Sequence, residues 1–153
     1  MDFERRSRRQ GPEGSSQEEV RLFLDSSVLL AASGSATGAS RLLFAERHGR
    51  GWTLLTSDYC RQETVHNLGK LASAAKDDWL AIIRPALVIS NTQVVLDRPL
   101  IYRAAKDRPV IISALHHQAD HLLTLDRDDF HDLLGTEVYG LRIRTPGEFL
   151  RSA

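Results

Sequence analysis

Four acidic residues fall where a carboxylate can do chemistry: Asp25, Glu63, Asp107 and Asp126. Asp25 follows the apolar run Leu22-Phe23-Leu24 directly, in LFLDSSVLLA, and Asp126 follows His121-Leu122-Leu123-Thr124-Leu125. A charge at the mouth of a buried strand is costly unless something pairs with it or binds it. Glu63 lies one turn inside the helix expected after the second strand. Asp107 stands just before Pro109, where a helix N-terminus favours a carboxylate. Four acids gathered on one edge repel one another and raise each other's pKa values unless a cation is present. A hard divalent ion with oxygen ligands, Mg²⁺ or Mn²⁺, resolves that conflict. It also supplies a nucleophile from water and stabilises a phosphoryl transition state.

The elements that must position these acids follow from the apolar pattern. RLFLD reads as a short buried strand, and GASRLLFAERH (38–48) as a helix with Leu42, Leu43 and Ala45 on one stripe, stopped by Gly49 and Gly51. WTLLTS is a strand. Ser57-Asp58 offers an N-cap for a helix over 58–73 with Val65, Leu68 and Leu71 inward. A helix over 77–84 ends at Pro85, ALVI is a strand, VVLD restarts order, and 98–105 is helical. Pro109 suits the first turn of a helix over 109–118. HLLTL is a strand, RDDFHDLL a short helix, LRIRT a final strand, and Pro146 opens a terminal turn. Short strands alternating with helices indicate an α/β domain with a mainly parallel sheet. Ligands bind such sheets at the carboxyl ends of the strands, near a topological switch point. That edge is where all four acids are expected.

Composition bounds the rest. With 153 residues, 42% hydrophobic and 26% charged, the chain suits one domain with a real core. Twenty basic and twenty acidic residues give zero net charge, which argues against bulk charge-driven capture of nucleic acid. A single cysteine, Cys60, excludes a disulfide framework and fits a reducing compartment. No apolar run reaches the ~18 residues needed to span a bilayer, and the N-terminus lacks a signal-peptide core, so a cytoplasmic protein without a membrane partner is expected. Residues 1–20 are rich in Arg, Glu, Gly and Ser and read as a disordered arm.

Three segments carry a family resemblance over residues 21–150. LFLDSSVLLAA resembles the opening strand and acid of the PIN domain. KDRPVIISALHHQADHLLTLDRDDF resembles that family's block of acid, proline, apolar helix, Ala-Asp, strand and Thr-x-Asp. LRIRTPGEFL resembles its closing strand and turn, and SDYCRQETVHNL, more loosely, the helix that supplies the second acid. The resemblance implies a three-layer α/β/α sandwich with a mainly parallel central sheet. It also implies a Mg²⁺- or Mn²⁺-dependent endoribonuclease, as in the VapC-type toxins of toxin–antitoxin pairs. The implied metal-binding and catalytic residues are Asp25, Glu63, Asp107 and Asp126, with Asp25 and Asp126 as core ligands. Ser27 matches the small polar position after the first acid, although the commoner Asp-Thr-Asn or Asp-Ser-Asn is Asp-Ser-Ser here. Thr124 matches the polar residue that orients the last acid. An RNA substrate, an antitoxin partner and a homodimer are implied in the same way. Arg41, Arg61, Arg108 and Arg127 are candidates to hold flanking phosphates.

The other chemical residues have plainer readings. Asp120 matches a frequent family acid but begins a strand, at the opposite edge from Asp126, which suits a structural role. Asp128, Asp129 and Asp132 read as a solvated helix start, with Asp128 the reserve ligand. His116, His117 and His121 straddle a helix-to-strand change and offer no shared face for zinc. Cys60 reads as a buried structural cysteine, Trp52 and Trp79 as core, and SGSATG (33–38) as a flexible loop beside the site rather than a phosphate-binding P-loop. A phosphotransferase with Asp25 as nucleophile would need an acid at position 27, and a receiver domain a late lysine after Lys70, Lys76 and Lys106; neither is present. The competing reading in another class is a PIN-like module that binds RNA or protein and does not cut.

Overall fold

The computed structural model describes residues 19–90, 108–128, 130 and 133–153. Asp107, the 91–107 stretch with the expected restart of order at VVLD and the helix over 98–105, and nearly all of the N-terminal arm lie outside the described residues. Six strands form one sheet in the order β3-β2-β1-β4-β6-β5. They are β1 (Val20–Leu24), β2 (Trp52–Ser57), β3 (Val88–Ser90), β4 (His121–Leu123), β5 (Glu137–Val138) and β6 (Leu141–Arg144). All pairings are parallel except β5 with β6. The chain is therefore an α/β protein with a mostly parallel central sheet. It runs outward from β1 through β2 to β3, then returns to place β4 on the other side of β1. The switch point is the crevice between the carboxyl ends of β1 and β4.

Six α-helices are described: α1 (Ser26–Gly34), α2 (Ala39–Arg50), α3 (Asp58–Leu68), α4 (Ser73–Asp78), α5 (Arg108–His116) and α6 (Pro146–Ser152). A π-helical turn (Trp79–Ile83) and a 3-10 turn (Arg84–Ala86) continue α4. Helix α1 packs against α2, α3 and α4, while α5 lies on β2 and β4, an arrangement compatible with three layers. Leu22, Phe23 and Leu24 are each fully buried, so β1 is covered on both faces, as a central parallel strand must be. Each such side chain contributes about 1.5–3 kcal/mol of burial. In β6, Leu141 and Ile143 are buried and Arg142 is exposed, an alternation that marks one covered face.

Local chemistry sets the element ends. Gly51 stops α2 in the left-handed region (φ 72°), with its N–H on the carbonyls of Arg47 and His48. Ser57 caps α3 by accepting from the Cys60 N–H, as expected. Thr145 and Glu148 cap α6 reciprocally, with Pro146 in its first turn. Val138 and Leu141 pair across Tyr139 and Gly140, both with positive φ (49° and 85°), a two-residue hairpin turn of the kind that matches strand twist.

Several expectations need correction. Helix α1 was not expected at all, because SSVLLAASG is apolar around most of its circumference and shows no stripe. It takes in Ser33 and Gly34, shortening the expected 33–38 loop to the residues between α1 and α2. Helix α3 ends at Leu68, not 73, and Val65 and Leu71 are exposed while Cys60, Thr64 and Leu68 are buried. Leu68 is buried as expected, but it shares its face with Cys60 and Thr64 at a spacing of four, which leaves Val65 outside; the Thr64 hydroxyl is satisfied there by the Cys60 carbonyl. Leu42 is exposed, and α2 buries Ser40, Leu43 and Phe44 instead. The helix expected over 77–84 is longer, running from Ser73 through the turns to Ala86. The described residues of RDDFHDLL form turns, with Leu133 and Leu134 both donating to the Phe130 carbonyl. The arm stops short of residue 20: Val20 pairs with Trp52, and Glu19 accepts from Thr53.

At the amino edge, Phe149 stacks edge-on against both Trp52 and His121. Burial, and then Arg144, push His121 down to about 4 from its ordinary 6.5. Its Nδ1 has no hydrogen-bond partner among the described residues. The unfolded chain takes up this proton below pH 6.5 and the folded chain only near 4, so stability is full above 6.5 and is lost as pH falls toward 4. The loss should be about 1 kcal/mol, discounted for the ring's partial exposure. Thermal midpoints from pH 7 to 4 should fall more steeply for the wild type than for His121→Gln; parallel curves would refute this.

Candidate metal centre at the β1–β4 switch point

The pairing register builds the site. Leu24 sits opposite Leu123, and the ladder extends one step past both strands, with Asp25 N–H on the Leu123 carbonyl (3.1 Å) and Thr124 N–H on the Arg144 carbonyl (2.9 Å). Asp25 and Thr124 are thereby neighbours at the carboxyl edge. The Thr124 hydroxyl donates to Asp25 Oδ2 at 2.9 Å, and the Ser27 hydroxyl donates to the same oxygen at 2.9 Å. Ser27 Oγ accepts in turn from the Leu125 N–H (2.9 Å), and Thr124 Oγ1 from the Asp126 N–H (3.1 Å). Each hydroxyl thus ties Asp25 to the loop that carries Asp126.

Asp25 is also the N-cap residue of α1; its carbonyl accepts from Val28 and Leu29, while its side chain leaves the cap unfilled and turns to the hydroxyls. Only 6% of the residue is exposed. Burial raises its pKa above the ordinary 3.8, the Thr124, Ser27 and Ser26 hydrogen bonds oppose the rise, and the Glu63 charge adds to it.

Glu63 approaches from α3. Ser26 Oγ donates to its Oε1 at 3.1 Å, joining the first turn of α1 to the second acid. Asp25, Cys60 and Glu63 each offer a ligand atom, all within 4.8 Å of one another, which makes this cluster a candidate cation seat. Burial, and then the Asp25 charge, push the Cys60 thiol up to about 12. Asp126 lines the same cleft of about 380 Å³ with Asp25 and Glu63, but lies outside the tight cluster.

The structure therefore brings together Asp25, Glu63 and Asp126, with Ser27 and Thr124 between them. Asp107 lies outside the described residues, as do Asp129 and Asp132. Asp128 is exposed and does not line the cleft. Asp120 is at the opposite edge, where its Oδ2 accepts from the Arg21 N–H at 2.9 Å and its backbone joins β1 to β6. Three residues were not anticipated here: Ser26, Cys60 and Tyr59. The last two stand three and four positions before Glu63 on α3, a spacing that shares one helix face. Burial, and then Glu63, raise the Tyr59 hydroxyl's pKa at the cleft mouth.

Two of the arginines expected to hold phosphates are otherwise engaged. Arg41 bonds Asp78 and the Ala32 carbonyl, both at 2.6 Å, joining α1, α2 and α4. Arg61 pairs with Asp58 at 2.7 Å, which lowers the Asp58 pKa. Arg127 is exposed, beside the cleft's Asp126 loop, and the Arg108 side chain lies outside the described residues.

A buried carboxylate with a raised pKa destabilises the folded chain above that pKa, and its contribution is favourable only below the unfolded value. Without added metal, Asp25→Asn should therefore raise the thermal midpoint at pH 7 by about 1 kcal/mol-equivalent, a few degrees, and change nothing at pH 3. Calorimetry at both pH values checks this; a lower midpoint at pH 7 would mean the carboxylate is a net stabiliser on its own.

No protein-family model, no curated protein and no solved structure matches the chain, so the reading of this cleft rests on its own residues.

Proposed function

We propose that the chain is a metal-dependent endoribonuclease with a PIN-like fold. One observation carries the reading: Asp25, buried at the switch point with two hydroxyls fixed on one oxygen, shares a cleft with Glu63 and Asp126. A buried acid held in one orientation beside a second carboxylate is expected where a cation completes the site.

The donor chemistry suits Mg²⁺ or Mn²⁺. Asp25 and Glu63 present hard carboxylate oxygens, two of the three donors in the cluster, beside the softer Cys60 sulfur. Asp25 and Glu63 would hold the ion, with Asp126 completing the shell from the β4 side and Asp107 as a further acid of the set. When bound, the ion supplies activation of water and charge stabilisation at the phosphodiester. The chain's own residues do the rest. Ser27 and Thr124 keep the Asp25 carboxylate from rotating. Ser26 holds one Glu63 oxygen, and Tyr59 stands beside the same carboxylate, so Glu63 is positioned to bind the ion or to orient a water. Leu30, Val110 and Phe130 form the apolar walls of the cleft and limit water access. The resemblance extends the proposal to a toxin acting on RNA as a homodimer and silenced by an antitoxin protein.

End-labelled structured RNAs, tRNA among them, should be cut by the wild type in Mg²⁺ or Mn²⁺ and not in EDTA. Asp25→Asn/Asp126→Asn should lose about 100-fold or more of that rate. In a parallel thermal-shift titration, Mn²⁺ should raise the midpoint of the wild type and not of the double variant. Absence of cutting with a retained Mn²⁺ shift would favour the non-cutting binding module.

A further inference from the structure

Beside the acidic cleft lies a second groove of about 470 Å³, between the C-terminal ends of α1 and α3. Leu30, Ala31 and Leu71 give it apolar walls, and Lys70 also lines it. Leu30 and Asn67 line both groove and cleft, so the two adjoin. Gly34 keeps the groove open: a Cβ there would come within 3.3 Å of Leu71 Cδ1.

Asn67 adds a directional group at the junction. Its Nδ2 donates to the Glu63 carbonyl at 2.8 Å. That carbonyl can only accept, so the amide nitrogen must face it and Oδ1 remains as an acceptor. Ser35 lines the groove as well, so it combines apolar walls, the Asn67 amide with its free Oδ1 acceptor, a hydroxyl and one cation, directly beside an acidic cleft. A nucleotide matches that set: a flat base, an exocyclic amine and a phosphate.

We propose that this groove seats the base of the nucleotide next to the phosphodiester held in the acidic cleft. Leu30, Ala31 and Leu71 contact the base, Asn67 Oδ1 accepts from its exocyclic amine, and Lys70 meets the adjoining phosphate. The seat then favours amino-bearing bases such as cytosine over uracil. This assignment rests on the ribonuclease reading and deepens it to a base preference.

The test is binding of labelled hexacytidylate and hexauridylate to the full chain in EDTA, by fluorescence anisotropy. The wild type should bind hexacytidylate about fivefold more tightly, the worth of one hydrogen bond. Asn67→Leu should equalise the two. Gly34→Val, which presses on Leu71, should weaken hexacytidylate about tenfold while Mn²⁺ affinity, read by electron paramagnetic resonance, stays unchanged. Leu71→Asp, at an exposed position, repeats the test should Gly34→Val not fold. Equal binding of both hexamers by the wild type, binding of neither at several hundred micromolar, or wild-type affinity in both groove variants overturns the seat. Cleavage lost in Asp25→Asn/Asp126→Asn without base discrimination leaves the ribonuclease reading standing and removes only the seat. Discrimination without cleavage does the reverse.

Discussion

The parallel register between β1 and β4 is the constraint on which the site depends. Because Leu24 lies opposite Leu123, Asp25 must lie beside Thr124, and their hydrogen bond spans 99 positions of sequence. The register itself is held by packing: Leu22, Phe23, Leu24, Leu122 and Leu123 are all fully buried, so a slip of one residue would misplace side chains against both covering layers. Geometry at the cleft is thus a by-product of the core. No loop has to find the right place, because the acid is the first residue after a strand that cannot move.

The same logic explains why two hydroxyls accompany one carboxylate. Asp25 ends β1 and begins α1, so its backbone is already committed at both ends. Only the side-chain torsions remain free, and Ser27 and Thr124 remove them. Their second bonds, to Leu125 and Asp126 N–H groups, fix the loop after β4 by the same contacts. Thr56 adds a third tie, donating to the Leu24 carbonyl at 2.8 Å from β2. A buried network that is fully satisfied is rigid, whereas a half-satisfied one is a liability.

The legible and illegible parts of this protein divide along physical lines. Strand ends were legible, because Leu22-Phe23-Leu24 and His121-Leu122-Leu123 are apolar runs bounded by polar residues, and parallel topology then aligns their carboxyl ends. Asp25, Glu63 and Asp126 followed from that. Helix α1 was hidden because an all-round apolar helix has no period to detect. Helix phase failed where a polar residue turned inward, as at Thr64, and let Val65 turn out. Cys60 is buried as expected, yet its place against two acids required knowing which face of α3 meets α1. The partners of Arg41 and Arg61 were illegible for a simpler reason: composition shows a cation but not the carboxylate, Asp78 or Asp58, that it pairs with.

The short hairpin at the end of the sheet has one more effect. Strand β5 contributes only Glu137 and Val138, and Tyr139-Gly140 folds the chain straight back into β6. An unpaired strand margin is a template on which other chains can add by backbone bonding, and the hazard grows with its length and flatness. Two residues beginning with a glutamate, at the foot of a tight twisted turn, offer almost no such template. On this side the antiparallel reversal ends the sheet and protects the chain from assembling edge to edge with its copies, even though the strands behind it are largely apolar.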